Sequence, residues 1–169
     1  IASEGAVLMD AATGTVLFSK NGDKQFYPAS ITKLMTALLV AENCSLDDKV
    51  SDYIPDLKGS AYDDVSVRQL LTMTSGVQWN EDYADPQSDV VAGSNAKFAE
   101  MMNAKAAALG CTNTHFTNPH GLNDSNHYTT PHDMALIARA AFQNDVVKTV
   151  ASTRTYTLPA TIKNPSGLT

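Results

Sequence analysis

Apolar residues in 5–20 fall into two short runs separated by a turn centred on Ala11 to Gly14, the pattern of a β-hairpin. A polar connection over 21–26 follows, and the period then changes. Ile31, Leu34, Met35, Leu38 and Leu39 recur at helical spacing, which predicts one buried stripe on a central helix beginning near Tyr27. Pro28 suits its first turn, where a missing N–H costs little. The helix is expected to fade after Glu42, where Asn43, Ser45 and Asp47 supply turn and capping chemistry. Residues 131–143 repeat the pattern, with Pro131 near the start and Met134, Ile137, Ala138 and Ala141 on one face. A short helical piece over 146–150 and a strand over 155–158, near Tyr156, complete the reading.

Composition narrows the class. A chain of 169 residues that is 43% hydrophobic is long enough for one compact unit, or a domain with a helical insertion. Its net charge of −6 and lack of a basic run argue against a nucleic-acid partner. No segment reaches the roughly 18–20 apolar residues of a membrane helix, so no membrane span is expected in this chain. Ile1 opens without a charged and apolar leader, so an export signal is expected to have been removed or never present. Cys44 and Cys111 either form one disulfide in an oxidising compartment or stay thiols, with buried thiols preferred, and the lack of a Cys-x-x-Cys pair gives no zinc knuckle. His115, His120, His127 and His132 share one polar stretch. Their spacing matches no helix-borne ligand pair and they are mixed with Asn-Pro and His-Gly turn signals, so no zinc site is expected.

Candidate chemistry concentrates at Ser30-Ile31-Thr32-Lys33. A serine hydroxyl at neutral pH is a poor nucleophile and needs a neighbour to take its proton. A three-residue step brings Lys33 one turn above Ser30 on the same helix face, and unpaired N–H groups at a helix start favour developing negative charge. Lys33 serves as a base only when neutral, so the reading expects a buried Lys33 whose ammonium form is disfavoured by desolvation. The bland alternative is a capped helix in which Ser30 or Thr32 bonds backbone and Lys33 reaches solvent.

Context favours the first reading. Ala6 to Asp10, Thr13-Gly14-Thr15-Val16-Leu17 and Pro28-Ala29-Ser30-Ile31-Thr32-Lys33-Leu34-Met35-Thr36 resemble the opening of the serine-type D-alanyl-D-alanine carboxypeptidases, the low-molecular-mass penicillin-binding proteins of the serine β-lactamase superfamily. Gly93-Ser94-Asn95-Ala96-Lys97-Phe98, Met101 to Ala106, Leu109 to Leu122, His127-Tyr128-Thr129-Thr130 and Asp133 to Ala141 resemble the same enzymes, in the family's order. By that resemblance the histidine stretch is a structural loop before a helix, with Asn118, Pro119 and Gly121 shaping a tight path.

The family's three active-site elements are a Ser-x-x-Lys helix, a Ser-x-Asn turn and a Lys-Thr-Gly strand. Only the first is plain here. Residues 52–89 instead resemble the esterases, class C β-lactamases and 6-aminohexanoate-dimer hydrolases, which use a Tyr-x-Asn element that this chain lacks. Ser75, in Ser75-Gly76-Val77, is the first candidate for the second element and Tyr83 the second; Gly76 as a left-handed helix cap is the structural alternative for that turn. Nothing matches Lys-Thr-Gly, the nearest string being Pro165-Ser166-Gly167.

The resemblance implies an α/β (α+β) fold of the β-lactamase/transpeptidase type. Residues 1–45 and 145–169 would form a sheet portion carrying the nucleophile helix, and 46–144 a mostly helical portion, with the chain stopping where the family's C-terminal strands would complete the sheet. It implies acyl transfer: Ser30 attacks a D-Ala-D-Ala peptide of peptidoglycan, Lys33 takes the proton, and β-lactams are captured by the same serine, outside the cytoplasm and without a cofactor. An esterase, amidase or β-lactamase is the alternative suggested by 52–89. A non-catalytic scaffold is the alternative suggested by the missing elements.

Overall fold

The N-terminal hairpin forms as its alternation predicts. In this computed structural model, which describes residues 1–72, 95–155 and 157, β1 (Ala6–Met9) pairs antiparallel with β2 (Val16–Lys20). The register sets Ala6 opposite Lys20 and shifts between Leu8 and Met9. Its turn is closed by the Asp10 carboxylate, which accepts from Thr13 N–H at 2.7 Å, while Gly14 takes the left-handed φ of 78° that a side chain would resist. Of the strand expected over 155–158, Tyr156 and Leu158 lie outside the described residues, and Thr155 and Thr157 belong to no strand.

The central helix forms with a different start. Ala29–Thr32 is a 3-10 turn, and α1 runs Lys33–Asn43, so the α-helix opens three residues after Ser30. The stripe is correspondingly shorter: Met35, Leu38 and Leu39 are buried, whereas Ile31 is 59% exposed. The helix ends at Asn43, near the expected position, and in the turn beyond it Ser45 N–H donates to Asp48 at 2.9 Å.

Further along, α2 (Val50–Tyr53), α3 (Val67–Leu71), α4 (Asn95–Ala108), α5 (Pro131–Gln143) and α6 (Asp145–Ser152) follow. For α5 the observed bounds match the predicted ones. Thr130 caps it by accepting from Asp133 N–H at 3.1 Å, and Pro131 opens the first turn. Its Ile137 and Ala141 are buried.

The chain divides into two compact units. The first comprises Ile1–Val40 and Asn95–Lys148. Its core is a cluster of Met35, Leu39, Met102, Ala106, Cys111, Phe116 and Ile137, contributed by α1, α4, α5 and the loop between the last two. Because α4 is apolar at Ala99, Met102 and Ala106, one face of it is buried. The second unit comprises Ala41–Ser94 and Thr149–Thr169. There Val50, Val65 and Val67 are buried, a bridge joins Lys49 to Ser66, and Ser66 with Gln69 makes a capping box at the start of α3. Among the described residues no helix is long and apolar enough to cross a membrane.

Candidate active site

A tight turn carries the nucleophile candidate. Ala29 sits at φ 47°, a left-handed conformation that costs a non-glycine residue free energy and persists only where its surroundings enforce it. Lys33 N–H then donates to Ser30 C=O, a three-residue bond of 3-10 type. In such a turn side chains three apart eclipse one another, closer than in an α-helix. Ser30 Oγ and Lys33 Nζ accordingly meet at 3.1 Å, with the amine donating. The spacing predicted from sequence therefore holds, by a tighter geometry than expected.

Burial does not follow. Ser30 and Lys33 are both exposed, so the expectation of a desolvated Lys33 is not met. The physical reason is the turn itself. Ser30 and Lys33 occupy its outward side, while Thr32 points inward and is fully buried. The backbone of Ser30 also lies before α1 rather than within its first turn, so the helix start contributes less at the hydroxyl than predicted.

Thr32 marks a second layer that sequence reasoning missed. Its Oγ1 lies 2.8 Å from Nε2 of His127, which is 1% exposed. On the other side of the ring, Nδ1 accepts from Thr117 N–H at 3.0 Å. A backbone N–H can only donate, so Nδ1 is unprotonated, the proton resides on Nε2, and Nε2–H donates to Thr32. Burial pushes the His127 pKa below its ordinary 6.5, with protonated His120 and His115 adding to the shift and Asp124 opposing it.

The loop after Thr117 approaches from the same direction. Thr36 donates to Pro119 C=O at 2.6 Å, and the Asn118 side chain accepts from Gly121 N–H at 2.7 Å. Gly121, at φ 86°, passes so close to the turn that a Cβ there would lie 1.8 Å from Ala29 O. The left-handed Ala29 is thus held in place from behind. The Asn-Pro and His-Gly signals showed a tight loop; its contact with a turn some 90 residues earlier left no local trace in the sequence.

The whole-chain comparison decides the family. A family model described as D-alanyl-D-alanine carboxypeptidase matches residues 1–165. The chain belongs to the D-alanyl-D-alanine carboxypeptidase family. D-alanyl-D-alanine carboxypeptidase DacF of Bacillus subtilis is 34% identical over 149 residues, covering 81% of this chain and 38% of the relative. The solved DD-transpeptidase of Streptomyces (strain K15) superposes with a TM-score of 0.69 at 31% identity, covering 97% of this chain and 70% of that one. Penicillin binding protein 5 from Haemophilus influenzae gives 0.70 at 27% identity, covering 99% and 52%. The α/β fold of this carboxypeptidase-family chain is therefore that of the penicillin-binding proteins. The chain spans about two fifths of the length of its Bacillus relative. The family match also runs through residues 52–89, the segment that resembles other branches of the superfamily.

The remaining sequence candidates fare differently. Ser75 and Tyr83 lie outside the described residues. The thiols of Cys44 and Cys111 are free, Cys111 buried as preferred and Cys44 only half-buried. Of the histidines, His115 bonds the Asn126 carbonyl at 2.6 Å, and His132 lies 3.6 Å from the Asp133 carboxylate. Among the described residues no group of three or more His, Cys, Asp or Glu is placed to hold a metal ion.

Proposed function

We propose that this chain forms an acyl-enzyme through Ser30 and acts as a D,D-carboxypeptidase on D-Ala-D-Ala peptides of peptidoglycan, outside the cytoplasm, with β-lactams captured by the same hydroxyl. The observation that carries the reading is the 3.1 Å contact between Ser30 Oγ and Lys33 Nζ in a chain of this family. In the reaction, Ser30 Oγ attacks the peptide carbonyl carbon and its proton passes to Lys33 Nζ. The C–N bond breaks, the proton is delivered to the departing D-alanine amine, and water later hydrolyses the ester. This direction of transfer needs the hydrogen bond reversed, with the hydroxyl donating to a neutral amine. A peptide lying over the exposed pair would displace water and favour that state. Ser75, ahead of Tyr83, is our candidate for the second element.

The test is intact mass after incubation with a β-lactam. The protein is expected to gain one drug mass, and Ser30→Ala to gain none. An unmodified mass from folded protein after prolonged incubation would sink the acyl-enzyme reading. Modification surviving in Ser30→Ala would move the nucleophile elsewhere.

A further inference from the structure

Between Ser30 and Lys33 lies a side chain that faces the opposite way, and its partner is the most completely enclosed imidazole of the described residues. Thr32 Oγ1 is reached by His127 Nε2 at 2.8 Å, and His127 Nδ1 accepts from Thr117 N–H at 3.0 Å, with Thr117 Oγ1 3.2 Å away. The ring thus bridges the loop at Thr117 to the turn that carries the nucleophile, with Phe116 against it edge-on at 5.6 Å between centroids. No substrate group is needed to explain these bonds. We propose that His127 is a positioning residue: its neutral, Nε2-protonated imidazole holds Thr32 and so fixes the 3-10 turn in which Ser30 and Lys33 eclipse.

The geometry sets the consequence of a proton. Protonation turns Nδ1 from acceptor to donor, facing a backbone N–H that can only donate. The Thr117 N–H bond is lost, only Thr117 Oγ1 at 3.2 Å is left to accept from Nδ1, and the ring must shift toward it, so the turn loosens. The charged or titratable groups around His127 are Asp124, which favours the imidazolium, and His120 and His115, which oppose it once protonated. Burial opposes it as well, so the neutral clamp extends below pH 6.5. The inference rests on the acyl-enzyme reading only for its kinetic consequence, since the clamp itself is a statement about the turn.

Two measurements separate these levels. In wild-type protein, ring 15N and backbone amide spectra followed from about pH 8 to about pH 5 should show the Nε2–H tautomer, with the Ser30, Ile31 and Thr32 amides moving at the His127 midpoint. Labelling with a fluorescent penicillin, followed over the same range, should then show a limb at that midpoint. In His127→Gln and Thr32→Val that limb should be absent and labelling at neutral pH slower by about 10–100-fold, the scale of a misplaced reacting group. Amides of 30–32 that stay flat while His127 titrates would overturn the clamp, as would the same limb in both variants. Should no protein be labelled while the amides still follow His127, the acyl-enzyme reading fails and the clamp stands. The wild-type spectra decide the matter even if a variant does not fold.

Discussion

At Gly121 the hydrogen that stands in for a side chain is what lets the loop reach the back of the Ser30 turn. A methyl there would overlap Ala29 O, and the residue sits at φ 86°, so both space and backbone oppose it. Gly121→Ala is expected to cost about 3 kcal/mol or more, from overpacking added to a strained φ, read as a lower urea midpoint. Cys111 tests burial in another way. Desolvation, with the nearby Asp133 charge, pushes its thiol up to about 12, so it is uncharged at neutral pH. Alkylation by iodoacetamide at neutral pH should modify Cys44 well before Cys111 in folded protein, and equal rates would contradict the packing. Residues of this kind differ in legibility. Ser30 and Lys33 could be found because a three-residue step brings side chains together in either helix type. Thr32 and His127 could not, since 95 residues separate them and neither stands out from its neighbours. The exposure of Lys33 was also hidden, because the apolar stripe that promised burial includes Ile31, which the 3-10 turn rotates outward.

Elements were more readable than their junctions. The hairpin, α5 and the end of α1 follow from alternation, a Pro start with a Thr cap, and a polar stop. Each signal is local, and each acts on a few neighbouring residues. The opening of α1 failed because Ala29 adopts a conformation its own chemistry does not favour, enforced by a distant loop. The hairpin shows the same dependence on remote contacts. Leu8 and Leu17 are more than half exposed, so little apolar burial holds the strands. Arg139 of α5 compensates by donating from Nε to Ala11 C=O at 2.9 Å and from Nη2 to Ala12 C=O at 2.8 Å. Two carbonyls at fixed spacing suit the rigid guanidinium fork and not a single ammonium. Arg139→Lys should therefore reduce hydrogen-exchange protection of the β1 and β2 amides by about 1 kcal/mol, the net worth of one such bond, while α5 amides keep theirs. Equal loss in both elements would show that the arginine supports the helix instead.

On the scale of the whole molecule, pH probes how the buried imidazole is coupled to folding. Unfolded, His127 takes up a proton near 6.5; folded, it does so at a lower pH. Between those two values the unfolded state binds more protons, so stability rises with pH across that window and falls as pH drops through it. Above 6.5 the contribution is complete, and below the folded pKa no further loss arises from this group. Glu4, Asp10, Asp48 and Asp63 are held below their ordinary values, Glu4 by Lys24, Asp10 by Thr13, Asp48 by Tyr53 and Asp63 by the Gly59 N–H. Their contributions are present above the ordinary carboxylate range and are lost as pH falls through the lowered values. Urea midpoints of wild-type protein should thus decline in two stages, one beginning near pH 6.5 and another below about pH 4. In His127→Gln the first stage should vanish while the second persists, because Gln carries no proton to gain and the four carboxylates are untouched. A first stage that survives the substitution would assign it to other groups, and the buried, neutral ring inferred from the Thr117 N–H bond would then have no measurable coupling to the fold.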